Sequence, residues 1–199
     1  MLILGHVGIT FGAALAAESL RSGAHAGASG PARGLHARLA AATASLSRKV
    51  DLRVLLVGSL LPDIIDKPVG LLLLPGVFGT GRLFCHSLVF PLVLAIAGTW
   101  LYHAGRNKHL LVLAYGAGMH LALDAMWRTP SILLWPFAGP LPRGAGTAED
   151  WMTRILETLL TDPTAYLPEI AGAILVVPFL WAVLHGVGLR RFLRSGDVN

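Results

Sequence analysis

His120 and Asp124 stand four residues apart inside the apolar run HLLVLAYGAGMHLALDAMW. On a helix that spacing puts both side chains on one face. An imidazole and a carboxylate at membrane depth have to be partnered or functional, because the surroundings do not solvate them. Three more polar islands interrupt comparably apolar stretches: GHVGIT near the start, LLPDIID in the middle and FCHSL after it. They add His6, Asp63, Asp66 and His86. Imidazole nitrogens with carboxylate oxygens form a ligand set that zinc accepts, with manganese as second choice. We expect a site for one or two divalent ions built from His6, Asp63, His86, His120 and Asp124. Asp66 reads as a further ligand, as a proton-accepting base one helical turn beyond Asp63, or as an ion-pair partner of Lys67. Ser87 reads as the N-cap of the apolar run after it, which would hold His86 at a helix start. Arg82 offers a rigid guanidinium fork to phosphate oxygens, or an anchor at the membrane interface. His25, His36, His103, His109 and His185 fall toward the opposite side of the bilayer and are assigned no chemistry.

The elements that must position these residues are membrane helices. Of the 199 residues, 54% are hydrophobic and 14% charged, too apolar for an ordinary soluble domain. The apolar tracts run about 17 to 22 residues without strand alternation, long enough to cross a hydrocarbon core. The fold expected is all-α, a polytopic membrane bundle of about five transmembrane helices forming one domain over residues 1–199. Spans are expected at Leu2–Ala17, Val54–Leu74, Leu88–Tyr102, Leu110–Trp127 and Leu167–Leu189. Pro62 predicts a kinked or re-entrant second span, since its ring disturbs the preceding turn and its missing N–H frees a carbonyl. Residues 18–53 form a basic connection with a short interfacial helix near Leu35–Leu46, and residues 128–166 a second connection with a short helix at Ala148–Leu160. Met1–Ala17 lacks a basic leader and carries His6 where a signal core would be unbroken, so it reads as retained. The single cysteine, Cys85, excludes an intramolecular disulfide and any paired-cysteine metal motif.

Charge orients the bundle. Arg21, Arg33, Arg38, Arg48, Lys49 and Arg53 follow the first span, Arg106 and Lys108 the third, and Arg190, Arg191 and Arg194 the fifth. Basic connections face the cytoplasm, so the N-terminus is expected outside and residues 128–166 extracytoplasmic. All six chemical candidates then share the outer half of the bilayer. The formal charge of +5 reflects those connections and not a nucleic-acid surface.

The order GHVGIT, GSLLPDIID, RLFCHSL, HLALD and ILLWP resembles the membrane-bound, metal-dependent hydrolase family typified by the bacterial inner-membrane protein YdjM. The resemblance covers about residues 1–137. Gly81–Leu88 is similar to the family's HRGFTHSL, keeping Arg82, Phe84, His86, Ser87 and Leu88, with Gly81 in place of the leading histidine. Met119–Asp124 is similar to its SHxxxD segment, and the LLPDID motif lies at Leu60 onward with one extra residue before Asp66. A fainter similarity links the His, Asp, His, HxxxD order to all-helical zinc phospholipases C and nucleases. It implies that Asp63, His86, His120 and Asp124 hold one ion, that Asp124 bridges to a second ion on His6, and that the ions activate water against a phosphoester.

The function expected is a metal-dependent membrane hydrolase acting on a lipid or lipid-linked phosphoester at the outer leaflet of a prokaryotic-type inner membrane. Asp66 and Arg82 are its candidate catalytic residues. Membrane lipids and an amphiphilic substrate are the expected partners. Two other readings stay open: a metal- or proton-coupled transporter using the same residues, and a structural membrane protein whose polar groups only join helices.

Overall fold

Residues 3–25, 35–141, 143, 144, 146–187 and 189–195 are described by a computed structural model; side chains are not described at 22–40, 178, 182, 186, 187, 191 and 195. Residues 26–34, with Arg33 of the basic connection, and 196–199 of the expected cytoplasmic tail therefore lie outside the described residues, as do the side chains of His25, His36, Arg38 and Arg191. Among the described residues the fold is all-helical, without strands.

Proline placement, capping residues and apolar run length set the helices. Helix α1 is Ile3–His25, α2 Leu35–Ser47, and α3 Leu52–Lys67, which continues as a π-helical segment at Pro68–Leu73. Asp51 caps α3 by accepting from the Arg53 N–H, and Arg53 in return holds the Asp51 carboxyl below its ordinary pKa. Pro62 is tolerated inside α3, and the widened π turns follow it. Helix α4 is Val89–Gly105 and α5 is His109–Leu123, joined by a short turn in which Arg106 adopts φ 60° and donates its N–H to the Tyr102 carbonyl at 2.8 Å. After a short α6 at Pro130–Leu133 come α7, Ala148–Thr161, and α8, Pro163–Ala182, with α9 at Leu189–Ser195.

Several boundaries differ from the sequence expectation, the fifth span among them, where α8 is Pro163–Ala182 and not Leu167–Leu189; three others have a local cause. Helix α1 runs beyond Ala17 to His25, because Ala, Ser and Leu continue a good helical run. The fourth apolar helix stops at Leu123 and not Trp127, since Asp124 caps it and Ala125 turns into the left-handed region at φ 52°. Ser87 is not an N-cap: its hydroxyl turns back onto the Phe84 carbonyl at 2.7 Å, and α4 begins after Leu88.

Two helix pairs approach at glycine. A Cβ on Gly116 of α5 would lie 2.5 Å from the Gly58 carbonyl carbon of α3, and one on Gly172 of α8 would lie 2.0 Å from the Leu4 oxygen of α1. In both pairs the chains run parallel, so α1 and α8 point one way and α3 and α5 the other. Phe11, Leu55, Val112, Phe179 and Val183 fill the space between at one end of the bundle. Among the described residues two helices are long and apolar enough to cross a membrane, Ile3–Arg21 with mean hydropathy 1.4 and Pro163–His185 with 2.1; α4 and α5 are apolar but shorter, 17 and 15 residues.

Candidate metal centre

Asp66, near the end of α3, organises the loop beyond it. Its carboxylate accepts the backbone N–H of Leu83 at 2.7 Å and those of Cys85 and His86 at 3.2 Å. Three amide donors around one fully buried carboxylate wrap residues 83–86 onto α3 and deliver His86 on a single turn, Phe84–His86. The same carboxylate takes the His86 Nδ1 at 2.7 Å. Three of these contacts fall on Oδ2 and one on Oδ1, so Asp66 supports His86 and the loop; among the described residues its partners are these and not Lys67.

His120 is held from the other side. The α3–α5 approach at Gly58 and Gly116 brings its Nδ1 within 2.7 Å of the Ser59 carbonyl. A carbonyl only accepts, so Nδ1 carries the proton and the Nε2 lone pair is left pointing inward. His86 and His120 are 0% exposed, and among the described residues neither Nε2 has a hydrogen-bond partner. Both face one oxygen, Asp63 Oδ1, at 3.5 Å and 3.7 Å.

The second carboxylate comes from the end of α5. Asp124 Oδ1 lies 3.2 Å from His6 Nε2, and its Oδ2 lies 4.0 Å from His86 Nε2. His6 stacks on His120 with ring centroids 4.0 Å apart, and is seated by α8, where Glu169 accepts the Gly5 N–H at 3.0 Å in the first turn of α1. Thr10, one turn along α1 from His6, is fully buried, its hydroxyl unpaired among the described residues.

Two triads result: Asp63, His86 and His120, and His6, His120 and Asp124, each with its ligand atoms within 4.8 Å of one another. Ligands about 2.1 Å from a tetrahedral zinc are roughly 3.4 Å apart, close to the shorter separations here. The imidazole of His120 has one inward lone pair, so it serves one ion only. With His120 in the first triad, Asp124 is the residue left to reach a second ion beside His6.

Each carboxylate also holds a cation on its outer side. Lys67 pairs with Asp63 Oδ2, and Arg82 with Asp124 Oδ2 through Nη2 at 2.9 Å and Nε at 3.2 Å. They stand at the mouth of a cavity of about 450 Å³ that α7 borders with Trp151, Arg154, Ile155 and Leu159. The Lys67 ammonium lies 4.8 Å from the Trp151 ring centre. Arg154, which the sequence reading did not count as a site residue, makes no ion pair among the described residues. Helix α7 starts in a capping box, with Thr147 and Asp150 exchanging hydrogen bonds that hold the Asp150 carboxyl below its ordinary pKa. The Gly144 and Gly146 N–H groups fasten the loop before it to the Phe78 and Gly79 carbonyls.

The structure thus gathers all seven sequence candidates: five around the two triads, Asp66 behind His86, and Arg82 at the rim. Neither curated proteins nor solved structures give a significant match to the chain. The profile of the YdjM inner membrane protein family matches residues 1–192. That stretch contains every cluster residue together with the α8 glutamate that seats the first of them, and the chain belongs to the YdjM inner membrane protein family.

Proposed function

We propose that the protein is a metal-dependent hydrolase of an amphiphilic phosphoester, with its reactive centre in the outer half of the inner membrane. The observation that carries this reading is the pair of fully buried imidazole Nε2 atoms on His86 and His120, both without a hydrogen-bond partner among the described residues and both facing Asp63 Oδ1. Such nitrogens are costly unless something binds them. A divalent ion fits: the donors are two neutral imidazoles and a carboxylate, and each ring is oriented by an acceptor on its far nitrogen, the usual arrangement behind a histidine ligand. Zinc is the first choice and manganese the second. When bound, the ion supplies positive charge to a phosphoryl oxygen and lowers the pKa of water at the site.

The chain's own residues do the rest. Asp66 and the Ser59 carbonyl fix the two rings. Arg82 and Arg154 offer guanidinium groups to phosphate oxygens at the mouth. The apolar face of α7 gives the adjoining tail a surface at Ile155 and Leu159. Met152, Leu156 and Leu160 lie exposed at successive turns of the same helix, a pattern suited to resting in the membrane interface.

The placement in the membrane is part of the proposal. Five helices, α1, α3 with its π-helical extension, α4, α5 and α8, would cross, with α2 and α9 at the basic inner end. Exposed Leu92, Ile96 and Trp100 on α4 and Ile170, Ile174 and Trp181 on α8 support lipid-facing surfaces. The α1, α4 and α8 helices run away from the cluster while α3 and α5 run toward it, so the start of α1 and the cluster share one side, the outer one in this reading.

The test combines metal content with turnover. Purified protein should hold one tightly bound divalent ion per chain, lost in His120→Ala and in His86→Ala, and vesicles of phospholipids or lipid-linked phosphates should release product only without chelator. Full metal content in both variants would remove the centre. Metal-dependent uptake into proteoliposomes with no product would replace hydrolysis with transport.

A further inference from the structure

The end of the bundle remote from the His/Asp cluster holds a second, larger cavity of about 580 Å³. Its wall is largely apolar, with Ala14 and Ala17 of α1, Leu46 of α2, Leu55 of α3 and Leu111 and Tyr115 of α5. The volume falls in the range of ligand pockets, roughly 300–1,000 Å³. The one carboxylate among its lining residues is paired. Glu18, 6% exposed, accepts from the Ser45 hydroxyl at 2.6 Å and pairs with Lys49, while Arg21 stands 3.8 Å away.

Charge at its mouth is not balanced. The cavity adjoins a smaller one of about 380 Å³ and shares Lys49, Lys108 and Val112 with it; Arg106, Asn107, His109 and Asp51 line the smaller one. The Asp51 carboxylate is already bound by Arg53 at 2.6 Å. Neither Arg106 nor Lys108 forms an ion pair among the described residues. Arg106 is fixed by its left-handed turn and by Tyr102, whose hydroxyl accepts from its Nη1 at 3.3 Å and whose ring centre lies 5.4 Å away.

We propose that this groove binds one anionic glycerophospholipid, its acyl chain in the apolar cavity and its phosphate between Arg106 and Lys108. Charge complementarity selects the occupant: an apolar interior continuous with two uncompensated cations fits a molecule with one tail-lined end and one anionic end. The inward facing of the basic connections places the lipid in the cytoplasmic leaflet. The proposal is independent of hydrolysis at the other end of the bundle.

The experiment is native mass spectrometry of the full chain in detergent, with equimolar phosphatidylglycerol and phosphatidylcholine supplied. Wild type is expected to retain one phosphatidylglycerol in preference to phosphatidylcholine. Replacing Arg106 and Lys108 by alanine should reduce that preference about fivefold for each cation removed. The charge-keeping R106K/K108R variant should preserve it, and Ala17→Phe, which fills the apolar part, should lower retention of both lipids. Equal retention of the two lipids by folded wild type would overturn the proposal, as would unchanged preference in the double alanine variant. A lipid-free wild-type dimer, with the groove closed by a second copy, would overturn it as well.

Discussion

Gly116 and Gly118 sit two residues apart on α5, and the structure assigns them opposite responses to alanine. A Cβ on Gly116 would stand 2.5 Å from the Gly58 carbonyl carbon and 2.6 Å from the Ser59 nitrogen, all of it backbone. Ordinary contact needs about 3.5 Å, so α5 must back away from α3 by roughly 1 Å. His120, one turn further along, moves with it and loses the 2.7 Å hydrogen bond to Ser59 together with its alignment on Asp63. Overpacking of this kind costs about 1–3 kcal/mol in stability. The orienting contact of a metal-binding histidine is worth roughly 10–100-fold in affinity. Gly116→Ala should therefore unfold at lower temperature and bind zinc roughly 10–100-fold more weakly than wild type. Gly118 has nothing within 4 Å, and there the same change should leave zinc affinity alone and stabilise the helix by about 0.5–1 kcal/mol. Chelator-competition titration and thermal unfolding in matched detergent give both numbers. Wild-type zinc affinity in folded Gly116→Ala would refute the claim that this close approach positions His120.

Three further outcomes are expected. Asp66→Ala strands the amides of Leu83, Cys85 and His86 and frees the His86 ring; it should cost about 3 kcal/mol in stability and lower zinc affinity as well, read by the same two assays. Ala125→Gly removes a side chain from left-handed backbone beside Asp124 and should raise stability by about 1 kcal/mol with metal content unchanged, as thermal unfolding will report. The Asp150 carboxyl is held below its ordinary value by Thr147, so its contribution to α7 is complete above about pH 3.9 and is lost as pH falls through the lower folded value; amide exchange at the start of α7 should quicken there, and Asp150→Asn should blunt the change.

The cluster was legible in the sequence because its members are expensive at the positions they occupy. A histidine within LAYGAGMHLALD has few inert explanations, and the HxxxD spacing defines a helix face without tertiary knowledge. What spacing cannot convey is who stands opposite. Asp66 lies one turn from Asp63, which suggested a shared chemical task, yet residues 83–86 close over it and convert it into a support for His86. Ser87 had a capping residue's chemistry, but the Phe84 carbonyl was the nearer partner. Arg154 and Glu169 were invisible for the same reason: one reaches the cavity by way of a long connection, and the other meets Gly5 from the far end of the chain. Helix ends shifted where single residues decided them, as Asp124 and Ala125 do for α5. The count of crossing helices rested on apolar run length, a measure that α4 and α5 satisfy less fully than α1 and α8.

The parallel pairing of α1 with α8 has a consequence for the order in which the site is made during synthesis. Asp63, His86, His120 and Asp124 all lie on a stretch that has left the ribosome well before α8, and their closest scaffolding, Ser59 and Asp66, comes from the same stretch. His6 was made first, yet its seat depends on Gly172 and Glu169, which are made late. A nascent chain can accordingly assemble the Asp63–His86–His120 triad while α1, already against α2, α3 and α5, still lacks its α8 neighbour. Such a chain would take up its first ion early and fix the His6 side of the centre only once α8 joins α1, so that pulse-labelled, truncated chains ending before and after α8 should differ in the environment of His6 and not in that of His86.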